Sequence, residues 1–69
     1  MSDHVYKIIE IVGTSSEGVA EAVQNAITRA GKTMRHIGWF ETGQIRGSVV
    51  DGKISEFQVL VRIGFRMDD

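Results

Sequence analysis

The chain has 69 residues, with 8 Lys+Arg, 9 Asp+Glu and no cysteine. That is enough for one domain, 1–69, and it excludes disulfides and thiolate-held metal. A net charge of −1 with scattered Lys and Arg argues against the basic stripe of a nucleic-acid binder, and no apolar run approaches the ~18 residues of a membrane span.

A domain this small buries only about 60% of the surface that its unfolded chain exposes. Scaffolds of this size rely on disulfides, a metal or self-association. His4 and His36 are the only imidazoles and lie far apart in sequence, so they read as surface residues, and a homo-oligomer is the expected staple. The start, MSDHVYK, carries no signal-peptide pattern. A cytoplasmic protein without membrane or nucleic-acid partners is expected.

Val5 to Val12, VYKIIEIV, reads as a strand rich in β-branched residues. Adjacent Ile8 and Ile9 break its alternation and leave its facing open. In the GTSSEG that follows, Thr14 and Glu17 have the spacing of a capping box. A helix is expected next through GVAEAVQNAITRAGK. Val19, Val23, Ala26, Ile27 and Ala30 form its apolar stripe, and Gly31 marks its C-terminal region. Thr14, Ser15 and Ser16 then read as caps rather than nucleophiles.

Residues 35–50 read as a long strand, interrupted near Thr42-Gly43. Asp51-Gly52, between SVV and KIS, calls for a two-residue type I′ hairpin. Glu56 to Phe65 forms the last strand. The fold class is therefore α+β, with element order β-α-β-β. A hairpin makes the last two strands antiparallel, and a right-handed crossover makes the first parallel to the second. The third strand then lies between them in order 1-3-2, with the helix on one face.

The last strand fixes the faces. Phe57, Val59, Val61, Ile63 and Phe65 alternate regularly and should pack on the helix. Gln58, Leu60, Arg62, Gly64 and Arg66 face away. On the middle strand, Ile45 and Val49 share the core side, with Arg46 outside. Nearer its start, turning Trp39 inward would bury Glu41, whereas turning Phe40 inward takes along only Thr42, which costs much less. Phe40 is therefore expected inside and Trp39 outside. The parity change between Phe40 and Ile45 requires a bulge, placed at Thr42-Gly43.

Trp39, Arg46 and Gln58 thus share the helix-free face. An indole plane, a guanidinium fork and an amide that both donates and accepts would suit a flat heteroaromatic ligand with imide-like edges and a phosphate. The plainer alternative makes Trp39 an interface residue, Gln58 a solvated or interface side chain, and Arg46, Arg62 and Arg66 members of ion pairs. GxGxxG, P-loop and Ser-His-Asp spacings are absent from the sequence.

The segments YKIIEIVGTSSEG, RHIGWFET and QIRGSVVDGKISEFQVLVRIGFRMDD, in this order and spacing, resemble the dodecins over nearly the whole chain. The resemblance implies a small flavin-binding protein of β-α-β-β fold, assembled as a hollow homododecamer of cubic-type symmetry. It implies flavins bound in pairs on two-fold axes between tryptophans of two subunits, with a glutamine at the polar edge of the ring. Those residues correspond to Trp39 of WFE and Gln58 of FQV, with Arg46 of IRG as candidate for the phosphate. FMN is the implied cofactor, with riboflavin or other flavins possible, and coenzyme A is a further ligand of some members.

The implied role is flavin storage and photoprotection: an indole stacked on the ring is an electron donor able to quench its excited state. No catalytic residue is expected, and the chain is not expected to be an enzyme. Coenzyme A binding, and a purely structural scaffold with Trp39 as packing, remain the alternatives.

Overall fold

The computed structural model describes residues 3–68. Met1, Ser2 and Asp69, which belong to the single expected domain, lie outside the described residues. Strand β1 (Tyr6–Ser15) leads into helix α1 (Val19–Ala30). Two 14-residue strands follow, β2 (Ile37–Val50) and β3 (Lys53–Arg66). β3 lies centrally and pairs antiparallel with both β1 and β2, giving the order β1-β3-β2. This is the fold the sequence implies.

The hairpin turns at Asp51 and Gly52, whose φ angles of 52° and 77° are both positive, as a type I′ turn requires. A register shift falls between Thr42 and Ile45, where the parity argument puts a bulge. Its consequence is visible in the pairing. Phe40 lies opposite Ile63 and Ile45 opposite Val59, while Trp39 lies opposite Gly64 and Arg46 opposite Gln58.

Val59, Val61 and Ile63 are completely buried beneath Ala22, Ala26 and Ala30 of α1, with Ile9, Ile11, Val19, Val23 and Ile27 around them. The expected stripe is present, and Ala22 joins it. The alanines allow the helix to sit very low on the sheet. At Gly13 of β1 a Cβ would run into the Ala22 carbonyl oxygen and the Ala26 methyl. Gly13→Ala is therefore expected to destabilise the fold by about 1–3 kcal/mol, because the obstacle is helix backbone that cannot rotate away. A lowered urea midpoint at fixed protein concentration is the readout.

Three expectations need correction. The capping box does not form. Thr14 and Ser15 belong to β1, Gly18 is the N-cap, and no side chain caps the helix. The Ser15 hydroxyl instead accepts a hydrogen bond from the Glu17 amide at 2.9 Å, which turns the chain out of the strand.

Phe40 takes the core side but is not buried. It is 52% exposed, because α1 packs on β1 and β3. A 12-residue helix, about 18 Å long, cannot cover a hairpin whose strands reach roughly 47 Å. The third concerns extent: β1 runs on to Ser15, β2 begins at Ile37, and β3 starts at Lys53.

The undecided first strand resolves as Ile9 and Ile11 toward the helix. Tyr6, Ile8 and Val12 turn to the other face, where each remains about half exposed. The molecule is elongated, 57 × 20 × 13 Å. Large apolar side chains remain uncovered on both faces: Tyr6, Ile8, Val12 and Trp39 on one, Phe40, Ile45 and Val49 on the other.

Candidate ligand-binding face

The helix-free face has two ends. At the first, β2 has just begun and Trp39 lies across from Gly64. The six-membered part of the indole sits directly over Gly64, where a Cβ would collide with it. The Tyr6 ring, from the far side of β3, leans against the indole with centroids 5.0 Å apart and planes at 58°. Trp39 is thus held by a glycine floor and a tyrosine side wall, yet 41% of it remains exposed. This is an aromatic surface that the chain's own core does not use.

Arg66 lies at the same end. Its Nη2 is 3.2 Å from His36 Nδ1, and His36 Nε2 is 3.0 Å from the Asp68 carboxylate. These contacts tie the tail to the start of β2.

The second end lies toward the hairpin. Arg46 Nε donates to Gln58 Oε1 at 3.1 Å, and Gln58 Nε2 donates to Glu56 Oε1 at 3.0 Å. Between the two ends Arg62 donates to Glu10 at 2.9 Å, with Glu41 across from it on the other side.

Of the three residues singled out in the sequence, the structure brings Arg46 and Gln58 together and leaves Trp39 apart. All three share a face. Trp39 stands over Gly64, however, six positions along β3 from Gln58, which is about 20 Å at 3.3 Å per residue. A single flat ring cannot touch both within one chain.

Tyr6, Gly64 and Glu56 were not singled out. The register alone would have found them, since a glycine opposite an aromatic and a carboxylate two residues from an amide follow from strand pairing. A hollow of about 520 Å³ between α1 and β1 is lined by Val12, Thr14, Asn25, Arg29 and Lys32 among others and includes none of the three. Among the described residues, no three His, Asp or Glu side chains gather as metal ligands, and no helix is long and apolar enough to cross a membrane.

A three-stranded sheet with one helix on one face, and an aromatic and polar surface bared on the other, defines a small α+β protein with a candidate ligand face. Comparison with known proteins narrows this. The dodecin family model matches residues 5–68. A dodecin of Thermus thermophilus is 48% identical over 65 residues, covering 94% of each chain. The structure of dodecin from Streptomyces coelicolor superposes with a TM-score of 0.95 at 48% identity, covering 100% of this chain and 99% of that one. A calcium dodecin from Mycobacterium tuberculosis, which has a calcium-binding site, matches with a TM-score of 0.81 at 29% identity over 93% of this chain and 91% of its own. The chain belongs to the dodecin family.

Proposed function

We propose that this protein binds and sequesters flavin, FMN foremost, at interfaces between its own copies, without turning it over. The observation that carries this reading is the half-exposed Trp39 indole, seated over Gly64 on the helix-free face. A tricyclic ring can stack on it, and such aromatic contacts add roughly 0.5–1.5 kcal/mol beyond the area buried. Membership in the dodecin family supports the reading.

The separation of Trp39 and Gln58 specifies how a site would be built. If one ring stacks on Trp39 and offers its polar edge to Gln58, the two side chains come from different chains. A two-fold axis supplies this economically, because an isologous contact repeats the same pair of residues from both sides. The exposed apolar residues on both faces support a closed homo-oligomer, a dodecamer in this reading, and cytoplasmic location is part of it. The chain is read as a single flavin-binding domain.

The flavin, when bound, supplies a chromophore and redox centre; the protein's work is to hold and silence it. Trp39 covers a ring face against water and, as an electron donor in contact with the ring, shortens the life of its excited state. Gln58 reads the polar edge. Arg46 has its Nε committed to Gln58, which leaves both Nη groups for the phosphate. The reading is of a buffer and not of an enzyme: at the Trp39 end, the His36–Asp68 contact holds the tail against the start of β2. Coenzyme A is a second possible ligand, with no contact residues assigned.

Equilibrium dialysis against FMN tests the reading. Uptake saturating at about one flavin per chain supports it, and no uptake at micromolar protein overturns it. Arg46→Ala separates the phosphate role from the rest. It is expected to weaken FMN about tenfold more than riboflavin, which has no phosphate to lose a charge-assisted hydrogen bond. Equal weakening of both ligands would remove Arg46 from the phosphate.

A further inference from the structure

We infer that Glu56 is a positioning residue, which together with Arg46 locks the Gln58 side-chain amide in one orientation and thereby sets the hydrogen-bond polarity that the site will accept. This rests on the flavin-binding reading above and adds to it a determinant of ligand selectivity.

A glutamine amide can rotate by half a turn and exchange its oxygen for its NH2 with almost no change in shape. A free Gln58 would therefore present either order of donor and acceptor, and would discriminate poorly between ligand edges of opposite polarity. The structure removes this freedom. On the oxygen side stands the Arg46 guanidinium, Nε at 3.1 Å, which can only donate. On the nitrogen side stands the Glu56 carboxylate at 3.0 Å, which when ionised can only accept.

Turning the amide over would set its NH2 against a cation and its oxygen against an anion. Both hydrogen bonds would be lost and both replaced by repulsion. The three residues come from neighbouring positions on paired strands, with Arg46 directly across from Gln58 and Glu56 two residues back on the same face. The sheet itself therefore holds them in place.

The arrangement does not exhaust Gln58. One N–H and one oxygen lone pair remain uncommitted, in a fixed order. They match an edge that presents a hydrogen-bond donor next to an acceptor, as the N3–H and neighbouring carbonyl of a flavin do. A ligand whose donor is blocked leaves the locked oxygen facing an alkyl group, and the amide cannot turn over to compensate. An unlocked amide could turn and donate to the carbonyl instead.

The test compares FMN with its N3-methyl derivative on stripped wild-type, Glu56→Gln and Gln58→Ala proteins, by titration. Glutamine at 56 can accept from or donate to Gln58, so it releases the Glu56 half of the lock and leaves only Arg46 to oppose the turned-over amide. Wild type is expected to prefer FMN by about tenfold, the scale of one hydrogen bond with an unpaired partner left behind. Glu56→Gln should narrow this to about threefold while leaving assembly and melting temperature unchanged, and Glu56→Ala should narrow it similarly. Gln58→Ala should remove the preference.

A wild-type preference that survives in both Glu56 variants overturns the inference while leaving flavin binding intact. So does a preference that survives Gln58→Ala, because the edge would then be read elsewhere. Absence of FMN uptake by wild type overturns the flavin reading and this inference together, and the wild-type titration alone distinguishes that case.

Discussion

Trp39→Ala is expected to weaken FMN binding by about 30-fold or more, the scale of losing an aromatic hot spot worth roughly 2 kcal/mol, and to restore much of the emission of whatever flavin still binds. The assembly should persist. Trp39 contributes nothing to the buried cluster, which consists of Val59, Val61, Ile63 and the three alanines. Size-exclusion chromatography beside the titration separates the two effects. If the indole were mere interface packing, its removal would loosen the oligomer and leave flavin irrelevant. An assembly that falls apart with no change in flavin affinity would establish the scaffold reading.

The second large effect concerns a residue without a side chain. Gly64→Ala places a methyl group where the Trp39 ring now lies. The indole must move, and its contact with Tyr6 moves with it. Gly64 is buried in the central strand, so the backbone cannot yield. A loss of about tenfold or more in FMN affinity is expected with Trp39 still present, the aromatic surface being displaced rather than deleted. Trp39→Phe makes a useful companion, since it keeps an aromatic over Gly64 and should lose less than Gly64→Ala. Unchanged affinity in Gly64→Ala would mean that the position of the indole does not matter, and the stacking account would fail.

Much of this was legible in the sequence, for identifiable reasons. Asp51-Gly52 announces its hairpin because few dipeptides accept two positive φ angles. The alternation of Phe57 to Phe65 on the central strand sets the inside and outside of the whole sheet. The bulge near Gly43 follows from the cost of burying Glu41, and the register shift between Thr42 and Ile45 bears that out. The placement of Trp39 on the helix-free face depends on this irregularity and on a second register shift between Ile37 and Trp39.

Where sequence reasoning failed, it lacked distances. Thr14 and Glu17 have the right spacing for a capping box, but β1 extends through both Thr14 and Ser15, and strand pairing of Thr14 with Gln58 outweighs the cap. Ile8 and Ile9 could not be ranked because both faces of β1 carry apolar side chains, one set for the core and one left bare. Phe40 was assigned its face correctly, but parity is silent about how far a helix reaches. Parity also placed Trp39 and Gln58 on one face without showing that some 20 Å of strand separates them. That separation turns a list of ligand-binding candidates within one chain into a claim about neighbouring chains.

The measurement that tests the central claim most directly is a fluorescence titration of FMN with the flavin-stripped protein, with Trp39→Ala and Gln58→Ala run in parallel. Strong quenching that saturates near about one FMN per chain, and that weakens in each variant although the two residues stand far apart in any one chain, is the predicted result. FMN emission unchanged at micromolar protein, or quenching indifferent to both substitutions, would contradict it.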